Sequence, residues 1–445
     1  MELRHIWMGL GVAALVACVA ATEKISEPTL KPGRVKVIYW ESWTDFEAEA
    51  MQRVVDSFNR RQDKIFVEFV STSGTEEKAL MATAGGIPPD LAGLAGSSVP
   101  LYAYFQALTQ LDDMCRDAGI VRDNYIPICF DLMTYKGHVY AMPTTPATTG
   151  YHYNRKILKE AGWNPDEPPR TIEELDAMDQ MVMRKDKDGR VKRAGFLPAE
   201  PGWWSWSWPY FFGGRLIDAN GKISTDLPAN VRAYTWMQGY AKRYGVSQIQ
   251  TFRQGFGQFN SPRNAFIDGT VASVIQGVWM ANFIQKYNPS MDWAAAPFPY
   301  PADRPDLAGS VEIEQDCIVI PKGAKHVREA FEFLKYLQSQ EGMEMLCLGQ
   351  KKFSPLKQVS PEFYAKHANP FIRFFREEAL SPNAFSTPRT PIWKQYGREL
   401  DVAIDKINLV TTDSPQQLLA KVRERVQPMQ DEVDKIEKLR GDSAP

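Results

Sequence analysis

The sequence predicts an α/β fold, and three observations predict it. Residues 35–40 are a β-rich run, residues 45–61 an amphipathic stretch, and residues 65–70 a second β-rich run. Strand, helix and strand at this spacing form a βαβ unit, whose crossover makes the strands parallel. Strands go on alternating with helices along the chain, the pattern of a sheet covered by helices, and no internal repeat or heptad array interrupts it. With 445 residues, 44% apolar and 24% charged, the chain is long enough for two or three domains of ordinary globular composition.

The elements follow in order. In residues 45–61, Met51, Val54, Val55 and Phe58 recur at helical spacing, with Thr44 or Asp45 in place as the N-cap. Residues 85–96, GGIPPDLAGLAG, carry two prolines and four glycines and are predicted to be a loop. Residues 139–146 read as extended, and residues 151–161 as a helix ended by Gly162. Thr171 caps the helix that begins TIEEL. Residues 186–189 form a turn, residues 271–275 a strand closed by Gly277, and residues 311–320 a long strand. Residues 327–337 place Ala330, Phe331, Leu334 and Leu337 on one helical face. From Ile392 onward, Tyr396, Leu400, Ala403 and Ile407 make another apolar stripe. Ser414-Pro415 opens a last helix, which Pro428 should kink or break.

The first residues are a different material. Residues 8–17 are uncharged and mostly apolar, with Arg4 and His5 before them. That is the length of a signal-peptide core and short of the roughly 20 apolar residues that span a bilayer as a helix, so export is expected. Leu15-Val16-Ala17-Cys18 resembles the lipobox of bacterial lipoproteins, which implies a lipidated Cys18; the other reading is ordinary cleavage near Ala20 or Ala21. Residues 19–33 then read as a flexible tether. Of the remaining cysteines, Cys115 and Cys129 are close in sequence and flank a loop, so they are the expected disulfide; the other reading is buried free thiols. There is no CxxC and no HExxH, so no metal is expected. A net charge of −2 without a long basic stripe gives no footprint for nucleic acid.

Residues 202–214, GWWSWSWPYFFGG, put seven aromatic side chains between Trp203 and Phe212. Pro209 cannot sit in a helix interior, so a helix is expected to begin close to it, with Ser207 as N-cap. Trp208, Phe211 and Phe212 then face a core, while Trp203, Trp204 and Trp206 fall in the loop before it. Loops lie on surfaces, and each indole carries roughly 150–250 Å². Either the loop folds back on its own domain or a ligand covers it; no basic amphipathic helix supports a membrane interface. A sugar ring suits such a place, because its apolar C–H face stacks on an indole while carboxylates, amides and backbone groups bond its hydroxyls. Glu312, Glu314 and Asp316 alternate, so in a strand they share one face, where like charges must be hydrated, paired or ligand-bound.

Several stretches, in order, resemble the sugar-binding type of extracellular solute-binding protein that feeds ABC importers, the family that includes the maltodextrin-binding protein. They are VKVIYWESW, GIPPDLAGL, GHVYAMPTTPATTGYHYNRKILKEAGW, PRTIEEL, EPGWWSWSWPYFFGG, FIDGTVASVIQGVW and CIVIPKGAKHVREAFEFLKYLQS. The third and sixth, taken together, are the most specific. Ile172 stands in place of the usual Trp, and Val278 where Pro is frequent. The resemblance implies a periplasmic-binding-protein-like fold of type II, with two discontinuous α/β lobes and a ligand cleft between them. Residues 1–33 become signal peptide and tether; residues 34–145 plus 317–358 form lobe 1, and residues 146–316 plus 359–445 lobe 2, with crossings near 143–148 and 312–318. It further implies a monomer without cofactors, held in the cell envelope or periplasm, that captures a saccharide by hinge closure and passes it to a membrane permease. Carried over, the ligand-binding positions are Trp40, Glu41, Trp43, Asp90, Trp203, Trp204, Trp279, Glu312 and Trp393, or Tyr396 beside the last. The acidic strand keeps a peptide, polyamine or amino compound open as ligand. It also admits a secreted hydrolase using Glu312 and Glu314, although neighbours on one strand face give poor control over two sides of a glycosidic bond.

Overall fold

The computed structural model describes residues 33–441. Cys18 and the tether lie outside the described residues. The predicted βαβ unit is present: β1 (Val35–Glu41), α1 (Asp45–Arg61) and β2 (Ile65–Ser71), with β1 and β2 parallel from Val35↔Ile65 to Glu41↔Ser71. Next come α2 (Thr75–Ala84), β3 (Leu91–Ala95) and α3 (Val99–Tyr104). The segment expected to be a loop thus contains a central strand. Its glycine makes the strand possible: a Cβ at Gly93 would collide with the carboxylate of Glu41, which lies against it from β1.

The long strand β4 (Ala141–Asn154) runs through Pro143 and Pro146. A register shift in its partner between Gln315 and Cys317 accommodates them, since prolines give no ladder hydrogen bond and are tolerated at bulges. Residues 151–154 are strand rather than the first turn of a helix. Tyr151, His152 and Tyr153 pair on both sides, with β5 (Ser273–Gly277) and with β6 (Trp293–Ala296). The helix starts only at Arg155, where the Asn154 side chain accepts from the Ile157 N–H. Thr171 caps Ile172–Val182 in a reciprocal box with Glu174, as expected.

The sheet has eight strands, ordered β6–β4–β7–β3–β1–β2, where β7 is Val311–Val319; β5 joins β4, and β8 (Ala384–Phe385) joins β7. Two strands bridge its halves. β4 pairs with β7 over its first half and with β5 and β6 over its second. β7 pairs with β8 at its start and with β3 at its end. This connectivity makes two lobes held by two antiparallel crossings.

Each side has its own core. One joins Val37, Tyr39, Val54 and Phe58 to Phe331 and Leu334 of α7 (Val327–Leu337) and Leu346 of α8 (Gln340–Gln350), taking α4 as Ile172–Val182, α5 as Trp208–Phe211 and α6 as Pro228–Tyr244 earlier in the chain. The other joins Leu175, Trp208, Phe211, Tyr234 and Tyr240 to Tyr396, Leu400 and Ile407 of α9 (Trp393–Asn408) and Val422 and Val426 of α10 (Pro415–Gly441). Pro428 does not end α10: Val422 and Val426 before it and Val433 after it are buried on one stripe, which outweighs the single backbone hydrogen bond that proline removes.

The expected Cys115–Cys129 disulfide is absent. Both are free thiols, along with Cys317 and Cys347. Short helices, Asp112–Asp117 and Pro127–Asp131, turn Cys115 and Cys129 into different apolar clusters. Burial pushes both thiols up, that of Cys115 to about 12.

Candidate functional site

A cleft of about 470 Å³ separates the two halves. One wall is α2, the end of β3 at Ala95, the turn at Ser97 and Ser98, and α3. Glu76 ties this wall together, accepting from the Ala95 N–H at 2.7 Å and the Ser98 hydroxyl at 2.8 Å. The opposite wall is Trp203, Trp206, Thr387, Thr390 and the first turns of α9 from Trp393 to Asp401. Glu314, from the crossing strand β7, forms the floor.

The aromatic wall follows from the local sequence. A 3₁₀ turn, Ser205–Ser207, precedes α5, and Pro209 sits in the first turn of α5, as expected. Ser207, however, does not cap it; its hydroxyl donates to the Trp204 carbonyl at 2.6 Å and tightens the turn instead. The turn throws alternate tryptophans to different places. Trp203 is 43% exposed and braced edge-on by Phe259, centroids 4.7 Å apart. Trp206 meets Trp393 edge-to-face at 5.2 Å. Trp208 is sealed in the core. At the other end of the wall, Thr390 hydrogen-bonds Gln430 of α10 at 2.7 Å and fixes the start of α9. Lys394 crosses the cleft to Glu77, 3.2 Å, and Arg389 crosses to the carbonyls of Gly96 and Thr134.

Carboxylates crowd the floor. Water reaches Glu314 and part of Asp316, yet protein closes around both, the setting of groups at the bottom of a crevice. Burial and the charge of Asp316 push Glu314 up to about 7, against the pull of Lys352. Burial raises Asp316 as well, although Lys352 opposes it. Burial pulls the Lys352 ammonium down, but Asp316 and Glu47 outweigh that and hold it above its ordinary value. Lys352 lies 3.1 Å from Glu47 and 3.4 Å from Asp316. Glu312 is fully buried, both of its oxygens lack a hydrogen-bond partner among the described residues, and burial followed by the charge of Glu314 pushes it well up.

The structure sorts the expected residues by place. Trp203 and Trp393 line the cleft. Trp204 and Trp279 pack on each other at 6.1 Å just behind it; Trp204 is 5% exposed and Trp279 rests on Gly277, and neither indole N–H has an acceptor among the described residues. Tyr396 is core, its hydroxyl donating to the Leu216 carbonyl. The remaining positions serve the fold of the first half. Trp40 is half-buried, paired opposite Val70 and Ala92. Trp43 is packed in the core, beside Asp316. Asp90 stands at the start of β3, a strand's length from the cleft end at Ala95, because its carboxylate is used by the Ile38 and His326 N–H groups at 2.9 and 3.0 Å. The sequence reading placed Trp206 among the loop tryptophans without carrying it into the ligand-binding set, and it passed over Ser97 and Ser98. Trp206 sits within the 3₁₀ turn at Ser205–Ser207, which no local pattern announced, and Ser97 and Ser98 carried no signal.

Glu41 is turned inward, accepting from the Tyr39 hydroxyl and the Ser42 N–H, both at 2.7 Å. Burial raises it from 4.5 to about 7 despite those bonds. The folded state therefore holds this proton more tightly than the unfolded chain, so stability should fall as pH rises from about 4.5 to 7. Glu41→Gln should remove a loss on the order of 3 kcal/mol across that window. Urea unfolding at pH 5 and pH 8 measures it, and an unchanged pH slope would reject the assignment.

Comparison with known proteins fits this geometry. The profile of bacterial extracellular solute-binding proteins matches residues 42–344, and the chain belongs to that family. A maltotriose-binding protein of Pyrococcus abyssi is 23% identical over 84% of this chain and 78% of its own length. An arabinooligosaccharide-binding protein of Bacillus subtilis is 27% identical over 64% of this chain and 61% of its own. Among solved structures, the mannobiose-bound CpMnBP1 superposes with a TM-score of 0.75 at 23% identity, covering 88% of this chain and 99% of that one.

Proposed function

We propose that this protein is the extracytoplasmic binding component of an ABC importer, capturing a saccharide between two lobes and delivering it to a membrane permease. The carrying observation is the cleft itself: indoles of Trp203, Trp206 and Trp393 on one wall, Ser97, Ser98 and Glu77 on the other, and a carboxylate at the floor. Sugar rings need that combination, a flat apolar cover and a rim of hydrogen-bonding groups. The binding proteins named for oligosaccharides to which the chain is similar favour the same reading.

Because the two walls come from different lobes, a ligand completes its contacts only in the closed form and shifts the equilibrium toward it by that difference in affinity. A micromolar site needs about −8 kcal/mol, within reach of two or three stacked indoles and several hydrogen bonds. We take lobe 1 as residues 34–145 plus 317–358 and lobe 2 as residues 146–316 plus 359–445. The protein performs no bond chemistry in this reading and works as a monomer. A thermal-shift and calorimetric screen of oligosaccharides, run beside an assay for released reducing sugar, tests it. Stabilisation without turnover is expected; sugar release would make the protein a hydrolase.

Export and anchoring through Cys18 belong to the same reading. Cys18→Ser should move the protein from the membrane fraction to the soluble envelope fraction, and unchanged membrane association would reject the lipobox.

A further inference from the structure

We propose that the captured saccharide carries a protonated amine, and that Glu314 receives that amine with the Glu312 carboxyl beneath it. The ligand class is then an amino sugar with an unsubstituted amine, alone or within an oligomer. This rests on the saccharide reading above and narrows it.

The argument begins with side-chain direction. Residues two apart in a strand point to the same face, and β7 is regular from Glu312 to Glu314. Glu314 lines the cleft, so Glu312 points to the same side from deeper in. Glu312 is 0% exposed, and no donor of the described residues reaches either oxygen. The Ser207 hydroxyl lies beside Glu312 and favours its ionised form, but its one proton is directed to the Trp204 carbonyl at 2.6 Å. An ionised carboxylate here would be costly, having lost water and gained nothing, so Glu312 rests protonated and can ionise only when a cation comes close. A second carboxylate on the same face adds repulsion.

The cations at the cleft do not resolve this: Arg389 is held by the carbonyls of Gly96 and Thr134. Lys352 is shared between Glu47 and Asp316, and Lys394 is paired with Glu77 across the cleft. Arg398 lies on the wall formed by α9, one turn before Asp401, which also lines the cleft. The lining then carries Glu76, Glu77, Asp401 and Glu314 against Lys394 and Arg398, so carboxylates exceed cations even before Glu312 is counted.

The missing partner is positive and must also fit the walls. A neutral sugar hydroxyl can donate one hydrogen bond to Glu314 but brings no charge. A protonated amine brings the charge and three donors. A linear polyamine supplies the charge but offers no flat C–H face to Trp206 and Trp393. An amino sugar supplies both, and its cation also gains from indole faces nearby.

Calorimetry on the full chain with spermidine and with twin probes tests the proposal: glucosamine with glucose, mannosamine with mannose, galactosamine with galactose, and chitobiose with cellobiose. At least one amine-bearing probe should bind about tenfold tighter than its neutral twin, with the ratio shrinking as salt is raised. Glu314→Gln should reduce the ratio toward one, and Glu312→Gln should reduce it partway. Equal or tighter binding by every neutral twin overturns the amine and leaves the saccharide reading standing. Binding of spermidine with no binding of any sugar, or no binding of any probe, overturns both. A ratio untouched by Glu314→Gln overturns the assignment of the receiving group.

Discussion

Replacing Trp393 with alanine is expected to weaken ligand binding by about 30- to 150-fold while moving the unliganded unfolding transition little. Trp393 opens α9, is half-buried, and presents its ring to the cleft between edge contacts with Trp206 at 5.2 Å and Tyr396 at 5.7 Å. An indole carries roughly 150–250 Å². If about 100 Å² of that is covered only when ligand binds, the lost burial is about 2.5 kcal/mol at ~25 cal/mol per Å². The same truncation at Trp279 should act differently. That ring rests on Gly277 and against Trp204, in contact with two apolar clusters, so Trp279→Ala should lower the unliganded stability by roughly 2–4 kcal/mol. Titration calorimetry and thermal unfolding on both variants separate the two effects. Full-strength binding by Trp393→Ala would remove the aromatic wall from the recognition argument.

The legible part of this fold was the part governed by periodicity. The βαβ opening, the capping box at Thr171 and the stripe from Tyr396 to Ile407 were readable because buried residues repeat at 3.6 or 2 and caps use specific side chains. β3 was not, because its residues are Leu-Ala-Gly-Leu-Ala. Small residues carry no strand signal on their own, and the reason for Gly93 is Glu41, fifty-two positions earlier in the chain. The extension of β4 to Asn154 was hidden for a similar reason: its partners, β5 and β6, lie more than a hundred residues away. The site followed the same rule. The aromatic run marked the wall, yet which indoles face the cleft depended on the turn at Ser205–Ser207 and on its contact with α9. Asp90 and Glu41 were misplaced because a carboxylate near a strand end reads alike whether it binds a ligand or backbone N–H groups. Only three-dimensional pairing, with Ile38 and His326 for one and with Tyr39 and Ser42 for the other, separates the cases.

Lys352→Met should cost about 3–5 kcal/mol at pH 8, far more than the loss of a surface ion pair. Methionine keeps most of the side-chain length, so the effect isolates the charge. Lys352 is almost wholly buried where three elements meet: Glu47 of α1, Asp316 of β7 and Thr145 of β4, at 3.1, 3.4 and 3.5 Å. β4 and β7 are the two strands that cross between lobes, so this ammonium sits at the pivot. Without it, Asp316 faces Glu314 and Glu41 with no counter-charge, and each is already raised by burial. Their folded-state values must climb further while those of the unfolded chain stay put. The folded variant then binds more protons than the unfolded one over a wider range, so its stability falls more steeply as pH rises. The penalty is therefore expected to be largest at pH 8 and to shrink toward pH 5, where the carboxylates carry their own protons. Adding Asp316→Asn to Lys352→Met should recover part of the loss at pH 8 and little at pH 5. Urea denaturation of the parent, the single and the double variant at both pH values decides it. Equal penalties at the two values would mean that Lys352 holds the pivot by packing its stem rather than by neutralising the floor of the cleft.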